Sequence, residues 1–124
     1  MKILVVDDQK INRTLPCVLL RQAGCDVEEV ESGEAALAAL RARPMDAVLL
    51  DISMPGLSGT EVCRRVRGDP ALAGLFVVAY TAHALPEDRQ ACLDAGMDDY
   101  LSKPVDRLRL YRALRPWLPA AAHG

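Results

Sequence analysis

The sequence predicts an α/β fold in which a parallel five-stranded sheet carries helices on both faces. Three observations predict it. Short apolar bursts alternate five times with segments of helical period. Three of those bursts, at residues 3–6, 47–50 and 75–80, are continuously apolar, as strands covered on both faces should be. The 124 residues suffice for one domain and no more.

The elements follow in order. Strands are expected at 3–6, 27–30, 47–50, 75–80 and 100–101, the second half acidic. The first helix should bury Ile11, Leu15, Val18, Leu19 and Gln22 and stop at Gly24. Pro16 lies inside it, so a kink or a late start is expected. Ser32 should cap a helix over 34–43 that turns Ala36, Leu37 and Leu40 inward. Val62, Cys63 and Val66 mark a third helix, ending near Gly68-Asp69-Pro70. A fourth starts at Pro86 and stops at Gly96. Leu108, Tyr111 and Leu114 mark the fifth. Repeated strand–helix units imply right-handed crossovers, and with five strands the order 2-1-3-4-5, the flavodoxin-like doubly wound arrangement, is the natural one. Residues 1–118 should form the domain and 119–124 a frayed tail.

Composition excludes several classes. A net charge of −2 argues against bulk binding to nucleic acid or anionic membrane. The first apolar run is broken at once by Asp7 and Asp8, too early for a signal peptide. The uncharged stretch 70–86 is shorter than the roughly 20 residues a membrane span needs. The expected location is the cytoplasm, with no nucleic-acid or membrane partner. Cys17, Cys25, Cys63 and Cys92 are scattered and are read as reduced and buried.

In doubly wound sheets, ligands bind at the carboxyl ends of the strands, where the strand order reverses. Asp7, Asp8 and Asp51 follow strands 1 and 3, Thr81 follows strand 4, and Lys103 follows strand 5. Taken singly, each reads as a cap, a strand-end hydroxyl or a solvated lysine. In register, they converge. Two carboxylates about 4 Å apart repel by about 4 kcal/mol at an effective dielectric of 20. Either protons or a cation must relieve three of them. Oxygen ligands without His or Cys suit Mg²⁺ before Zn²⁺. Mg²⁺ that keeps open positions points to phosphoryl chemistry, in which a carboxylate can become an aspartyl-phosphate.

At this point the chain resembles, from end to end, a receiver domain of bacterial two-component systems. Val5-Val6-Asp7-Asp8 is similar to the acidic pair of that family, and Asp51-Ile52-Ser53-Met54-Pro55-Gly56-Leu57-Ser58-Gly59 to its phosphoacceptor loop. Tyr80-Thr81-Ala82 and Leu101-Ser102-Lys103-Pro104 are similar to its fourth and fifth strand ends. The resemblance implies that Asp51 accepts a phosphoryl group from a phosphohistidine. It implies that Mg²⁺, for which Mn²⁺ can substitute, is held by Asp8, Asp51 and the Ser53 carbonyl, with Asp7 acting through water. Thr81 and Lys103 would bind phosphoryl oxygens, Lys103–Pro104 would be cis, and Thr81 and Tyr100 would form the switch. Autodephosphorylation would be the only turnover, so the chain would be a regulatory domain and not an enzyme.

The segments Thr81-Ala82-His83-Ala84 and Ala95-Gly96-Met97-Asp98-Asp99-Tyr100-Leu101 are similar to receivers of hybrid sensor kinases. The implied partners are a sensor histidine kinase or a histidine-phosphotransfer domain, docking at the Asp51 end with the first helix. A downstream protein would meet the fourth helix, fifth strand and fifth helix. Ser53 stands where relatives carry a longer polar side chain, and the small Ala82 should leave the site open. His83 is read as a loop residue that shapes partner contact and not as a base. Arg107, Arg109, Arg112 and Arg115 are read as a solvated or partner-binding face. Two rivals are weighed. A haloacid-dehalogenase-type phosphatase would need its nucleophile after strand 1 in a D-x-D motif. A pseudo-receiver would lack part of the Asp, Thr and Lys set.

Overall fold

The computed structural model describes residues 1–82 and 85–118; the expectations for His83 and for the tail 119–124 fall outside them. The elements are β1 Lys2–Val6, α1 Lys10–Gln22, β2 Asp26–Val30, α2 Gly33–Ala42, β3 Ala47–Asp51, α3 Gly59–Gly68, β4 Phe76–Thr81, α4 Pro86–Asp94, β5 Asp99–Ser102 and α5 Arg107–Ala113, then a single 3₁₀ turn, Arg115–Trp117. The sheet order is β2-β1-β3-β4-β5, and each pairing is parallel. This is the expected order. Its reversal lies at β1, which pairs with both β2 and β3.

The continuous apolar runs have a direct use. Alternate side chains of a strand point to opposite faces. Ile3, Val5, Leu49, Val78 and Tyr80 pack with Cys17 and Leu20 of α1 and Leu110 of α5. Leu4, Val6, Val48, Leu50, Val77 and Ala79 pack with Leu37 and Leu40 of α2, Val62 and Val66 of α3, and Cys92 of α4. Each wholly buried Val or Leu contributes about 1.5–3 kcal/mol. Both faces are dry, so β1, β3 and β4 have no polar side.

Helix ends follow local chemistry. Ser32, Ser58 and Asp106 accept hydrogen bonds from Ala35 N, Glu61 N and Arg109 N and so cap α2, α3 and α5. After α1 and α4, Gly24 and Gly96 take φ of 92° and 99°, which an L side chain rarely adopts. The turns close with Cys25 N donating to Leu20 O and Met97 N to Cys92 O.

Two expectations are corrected and a third is narrowed. The α1 face was expected to bury Ile11, Leu15, Val18, Leu19 and Gln22. Of these Leu19 is buried; Pro16, Cys17 and Leu20 take the other places on the sheet side, while Ile11 is 81% exposed and Leu15 and Val18 43% each. The helix carries two apolar stripes, and the one containing a proline and a cysteine faces the sheet. Of the kink and the late start expected as alternatives at Pro16, the late start is ruled out, since α1 begins at Lys10 with Pro16 inside it. In α5, Leu108 points outward at 65% exposure, and Leu110, Ala113 and Leu114 fill the core.

Candidate phosphoryl and metal site

Each candidate side chain stands at a strand's carboxyl end. Asp7 directly follows β1, and its N–H still donates to Val30 O at 3.3 Å, so it extends the ladder. Asp8 is the next residue and is half-exposed. Asp51 and Thr81 are the last residues of β3 and β4, and Lys103 is the first after β5. Asp7, Asp51 and Thr81 are buried polar residues.

The geometry brings the charged groups together. One carboxylate oxygen each from Asp7, Asp8 and Asp51 lie within 4.8 Å of one another. Lys103 Nζ is 2.6 Å from Asp7 Oδ2 and 3.4 Å from Asp51 Oδ1, and 5.0 Å from the centroid of the Tyr80 ring. Lys103 N donates to Thr81 O at 2.7 Å, which ties the β5 turn to the end of β4. The Lys103–Pro104 bond is cis, as expected. Ser53 N donates to Asp51 Oδ1 at 3.2 Å. Ala82 is exposed beside Thr81. Tyr100 is half-buried on β5, opposite Ala79, against the cluster that contains Cys92.

Burial pushes the Asp51 carboxyl above its ordinary pKa. The Ser53 N–H opposes that push, Asp7 adds to it, and Lys103 opposes it. Gly59 closes the loop after Asp51. A Cβ there would lie 2.2 Å from Asp51 O, so the last position of the segment Asp51–Gly59 admits only hydrogen.

A divalent cation fits this donor set. Its ligands are hard oxygens, and no His or Cys is part of the cluster. Asp7 Oδ2 is fully buried, and no hydrogen bond is aligned on it among the described residues, although the Lys103 ammonium is near. Such an oxygen has spare capacity for positive charge.

The comparisons with known proteins agree. Residues 3–115 match the family model of the response regulator receiver domain. The chain belongs to the response regulator receiver family. As a receiver it is 39% identical over 119 residues to the sensor histidine kinase GacS of Pseudomonas protegens, covering 94% of this chain and 13% of that protein. It is 43% identical over 116 residues to the virulence sensor protein BvgS of Bordetella pertussis, covering 88% of this chain and 9% of that one. The receiver thus spans about a tenth of the length of these relatives. It also resembles the receiver domain of sensor histidine kinase PA1611 from Pseudomonas aeruginosa PAO1, at 38% identity and a TM-score of 0.86, covering 94% and 95% of the two chains. That structure has a magnesium ion coordinated in its active-site cleft.

One site residue escaped the sequence reading, and a second was read only as part of a solvated or partner-binding face. Arg13 Nη1 donates to Asp7 O at 2.8 Å. Arg109 Nη2 donates to Ser102 O at 2.7 Å and to Ser102 Oγ at 2.9 Å, beside Lys103. Arg109 therefore turns back onto the β5 turn and is not simply part of a solvated face. No spacing rule singles out either arginine as a site residue, because their partners are backbone carbonyls at strand ends, six residues from Arg13 and seven from Arg109.

Proposed function

We propose that this receiver is a phosphorylation-dependent signalling switch whose phosphoacceptor is Asp51. The observation that carries the reading is one carboxylate flanked by two more and by the Lys103 ammonium, at the sheet's point of reversal. In the transfer, an Asp51 carboxylate oxygen attacks phosphorus, and the bond from phosphorus to the donor imidazole nitrogen breaks. The electron pair of that bond stays on the nitrogen, and because the other ring nitrogen of the donor carries a proton, the ring leaves as neutral imidazole while Asp51 becomes an acyl phosphate. Asp8, Asp51 and the Ser53 carbonyl would hold Mg²⁺, or Mn²⁺ in its place, with Asp7 acting through water. The ion supplies charge neutralisation for the phosphoryl oxygens. Lys103 offers a second cation, and the Thr81 hydroxyl offers a hydrogen bond.

Phosphorylation adds charge next to Thr81, and Thr81 and Tyr100 respond together. The half-buried setting of Tyr100 supports an inward swing. Exposed Leu85 and Leu93 at α4 and Leu108 on α5 support a protein target on the face made by α4, β5 and α5. The exposed stripe Ile11, Leu15 and Val18 on α1 supports docking of a histidine kinase or phosphotransfer domain beside Asp51. The chain is regulatory, with self-dephosphorylation as its only turnover, and acts in the cytoplasm. Among the described residues, no helix is long and apolar enough to cross a membrane.

The test is intact mass after incubation with acetyl phosphate, with and without Mg²⁺. The reading expects one added phosphoryl group that requires both Asp51 and Mg²⁺. A gain that persists in Asp51→Asn would move the acceptor elsewhere. No gain from acetyl phosphate or from a phosphohistidine donor would make the chain a contact module.

A further inference from the structure

Arg13 sits on α1, but its guanidinium serves two other segments. Nη1 donates to Asp7 O at 2.8 Å, and Nε donates to Glu29 Oε1 on β2 at 3.1 Å. The side chain is only 11% exposed. The Asp7 carbonyl belongs to the peptide that joins Asp7 to Asp8. A peptide is planar, so holding its oxygen also fixes the nitrogen and the direction in which Asp8 Cα leaves.

The two aspartates differ in how they are held. Asp7 is fixed at its N–H by Val30 O and at its carboxylate by Gln9 N, which donates to Oδ1 at 2.9 Å. Among the described residues, the Asp8 carboxylate receives one hydrogen bond, from Gln9 Nε2 at 3.5 Å. Asp8 therefore has a weak grip of its own, and its place beside Asp7 and Asp51 depends on the peptide behind it.

We propose that Arg13 is a positioning residue for the cation site, holding the Asp7–Asp8 peptide so that the Asp8 carboxylate stands ready beside Asp7 and Asp51. Glu29 orients the guanidinium from the far side. The inference rests on the reading that the three carboxylates take Mg²⁺.

Positioning and charge act on Mg²⁺ binding with opposite signs. Removing a cation near three carboxylates makes the site more attractive to Mg²⁺. Losing the grip on Asp8 makes it less so. A weaker site after loss of Arg13 therefore reports positioning.

The experiment is calorimetric titration of the full chain with MgCl₂, with circular dichroism to establish folding. Arg13→Met should weaken Mg²⁺ binding on the order of tenfold, as loss of an outer-shell partner does. Arg13→Lys, which can still donate to Asp7 O, should recover most of it. If Arg13→Met does not fold, Arg13→Gln against Arg13→Lys gives the same comparison. A folded Arg13→Met or Arg13→Gln that binds Mg²⁺ as well as wild type, or better, overturns the inference alone. A wild type that binds no Mg²⁺ overturns the cation reading and this inference with it.

Discussion

Lys103 Nζ lies 2.6 Å from Asp7 Oδ2, closer than its 3.4 Å to Asp51 Oδ1. The ammonium thus rests on the most deeply buried carboxylate of the site and only leans toward the proposed acceptor. Lys103→Met would leave Asp7 charged, buried and without its counter-ion. Such loss costs about 3–5 kcal/mol. The variant should melt well below wild type in EDTA, bind Mg²⁺ more tightly, and regain much of its stability when Mg²⁺ is added. Phosphorylation of Asp51 should fall sharply in the same variant. Thermal melts with and without Mg²⁺ check this, and a melting point indifferent to the mutation would refute it.

Asp51 carries a pH signature. Its carboxyl is held above the ordinary value of 3.8, chiefly by burial. Above 3.8 the unfolded chain has released a proton that the native chain still holds. Stability is therefore lost as pH rises through this window, and the loss is complete above the folded-state value. Asp51→Asn should melt higher than wild type at neutral pH in EDTA, and the gap should close as pH falls toward 3.8. Melting curves across that range decide it. A gap that stays constant with pH would mean that charge on Asp51 is not its source.

Much of the architecture was legible because periodicity and strand-end chemistry are local. The dry faces of β1, β3 and β4 demand continuous apolar runs, and Asp7, Asp8, Asp51, Thr81 and Lys103 sit where such strands must end. What stayed hidden depends on which of two acceptable surfaces wins. The stripes Ile11-Leu15-Val18 and Pro16-Cys17-Leu20 both have helical spacing, and only packing on β1 and β2 chooses the second. Leu108 and Leu110 of α5 pose the same ambiguity. The contacts of Arg13 and Arg109 were hidden for another reason: they grip carbonyls, which every residue possesses.

The stripe left outside on α1 makes a prediction of its own. Ile11 and Leu15 are large, apolar and exposed, and they lie on the helix that follows the acidic pair. Replacing an apolar anchor at the centre of an interface commonly costs about 2 kcal/mol or more. Ile11→Asp and Leu15→Asp should each slow transfer from a phosphohistidine domain roughly 30-fold, the equivalent of that loss. Phosphorylation by acetyl phosphate should not change, because neither residue touches Asp51. Parallel time courses with the two donors separate docking from chemistry; equal slowing with both would place the defect in the site itself.

The cysteines should be silent in the native chain. All four are buried thiols, and burial pushes Cys17 up to about 12, with Cys25, Cys63 and Cys92 also raised. Above the ordinary value of 9.0 the unfolded chain ionises thiols that the native chain keeps protonated. Stability should therefore decline as pH climbs past 9.0. At pH 8 a thiol reagent should react slowly with folded protein and promptly with denatured protein. Fast labelling of a native thiol would identify an opening that the packed core does not contain.

Gly59 and Gly68 bracket α3 and make a matched pair. A Cβ on Gly59 would meet Asp51 O at 2.2 Å and Ile52 Cα at 2.7 Å, both backbone atoms that cannot rotate aside. A Cβ on Gly68 would meet nothing within 4 Å. Gly59→Ala should destabilise by about 1–3 kcal/mol, the usual cost of overpacking, and displace the loop that carries Asp51. Gly68→Ala, at the other end of the helix, should be neutral or stabilise by up to about 1 kcal/mol, because alanine restricts the unfolded chain. Urea melts of both variants measure the difference in stability, and the rate of acetyl-phosphate labelling measures the displacement. If Gly59→Ala melts and labels like Gly68→Ala, the close approach of α3 to the Asp51 carbonyl is not what holds the loop, and the hydrogen bond from Ser53 N to Asp51 Oδ1 must carry that role.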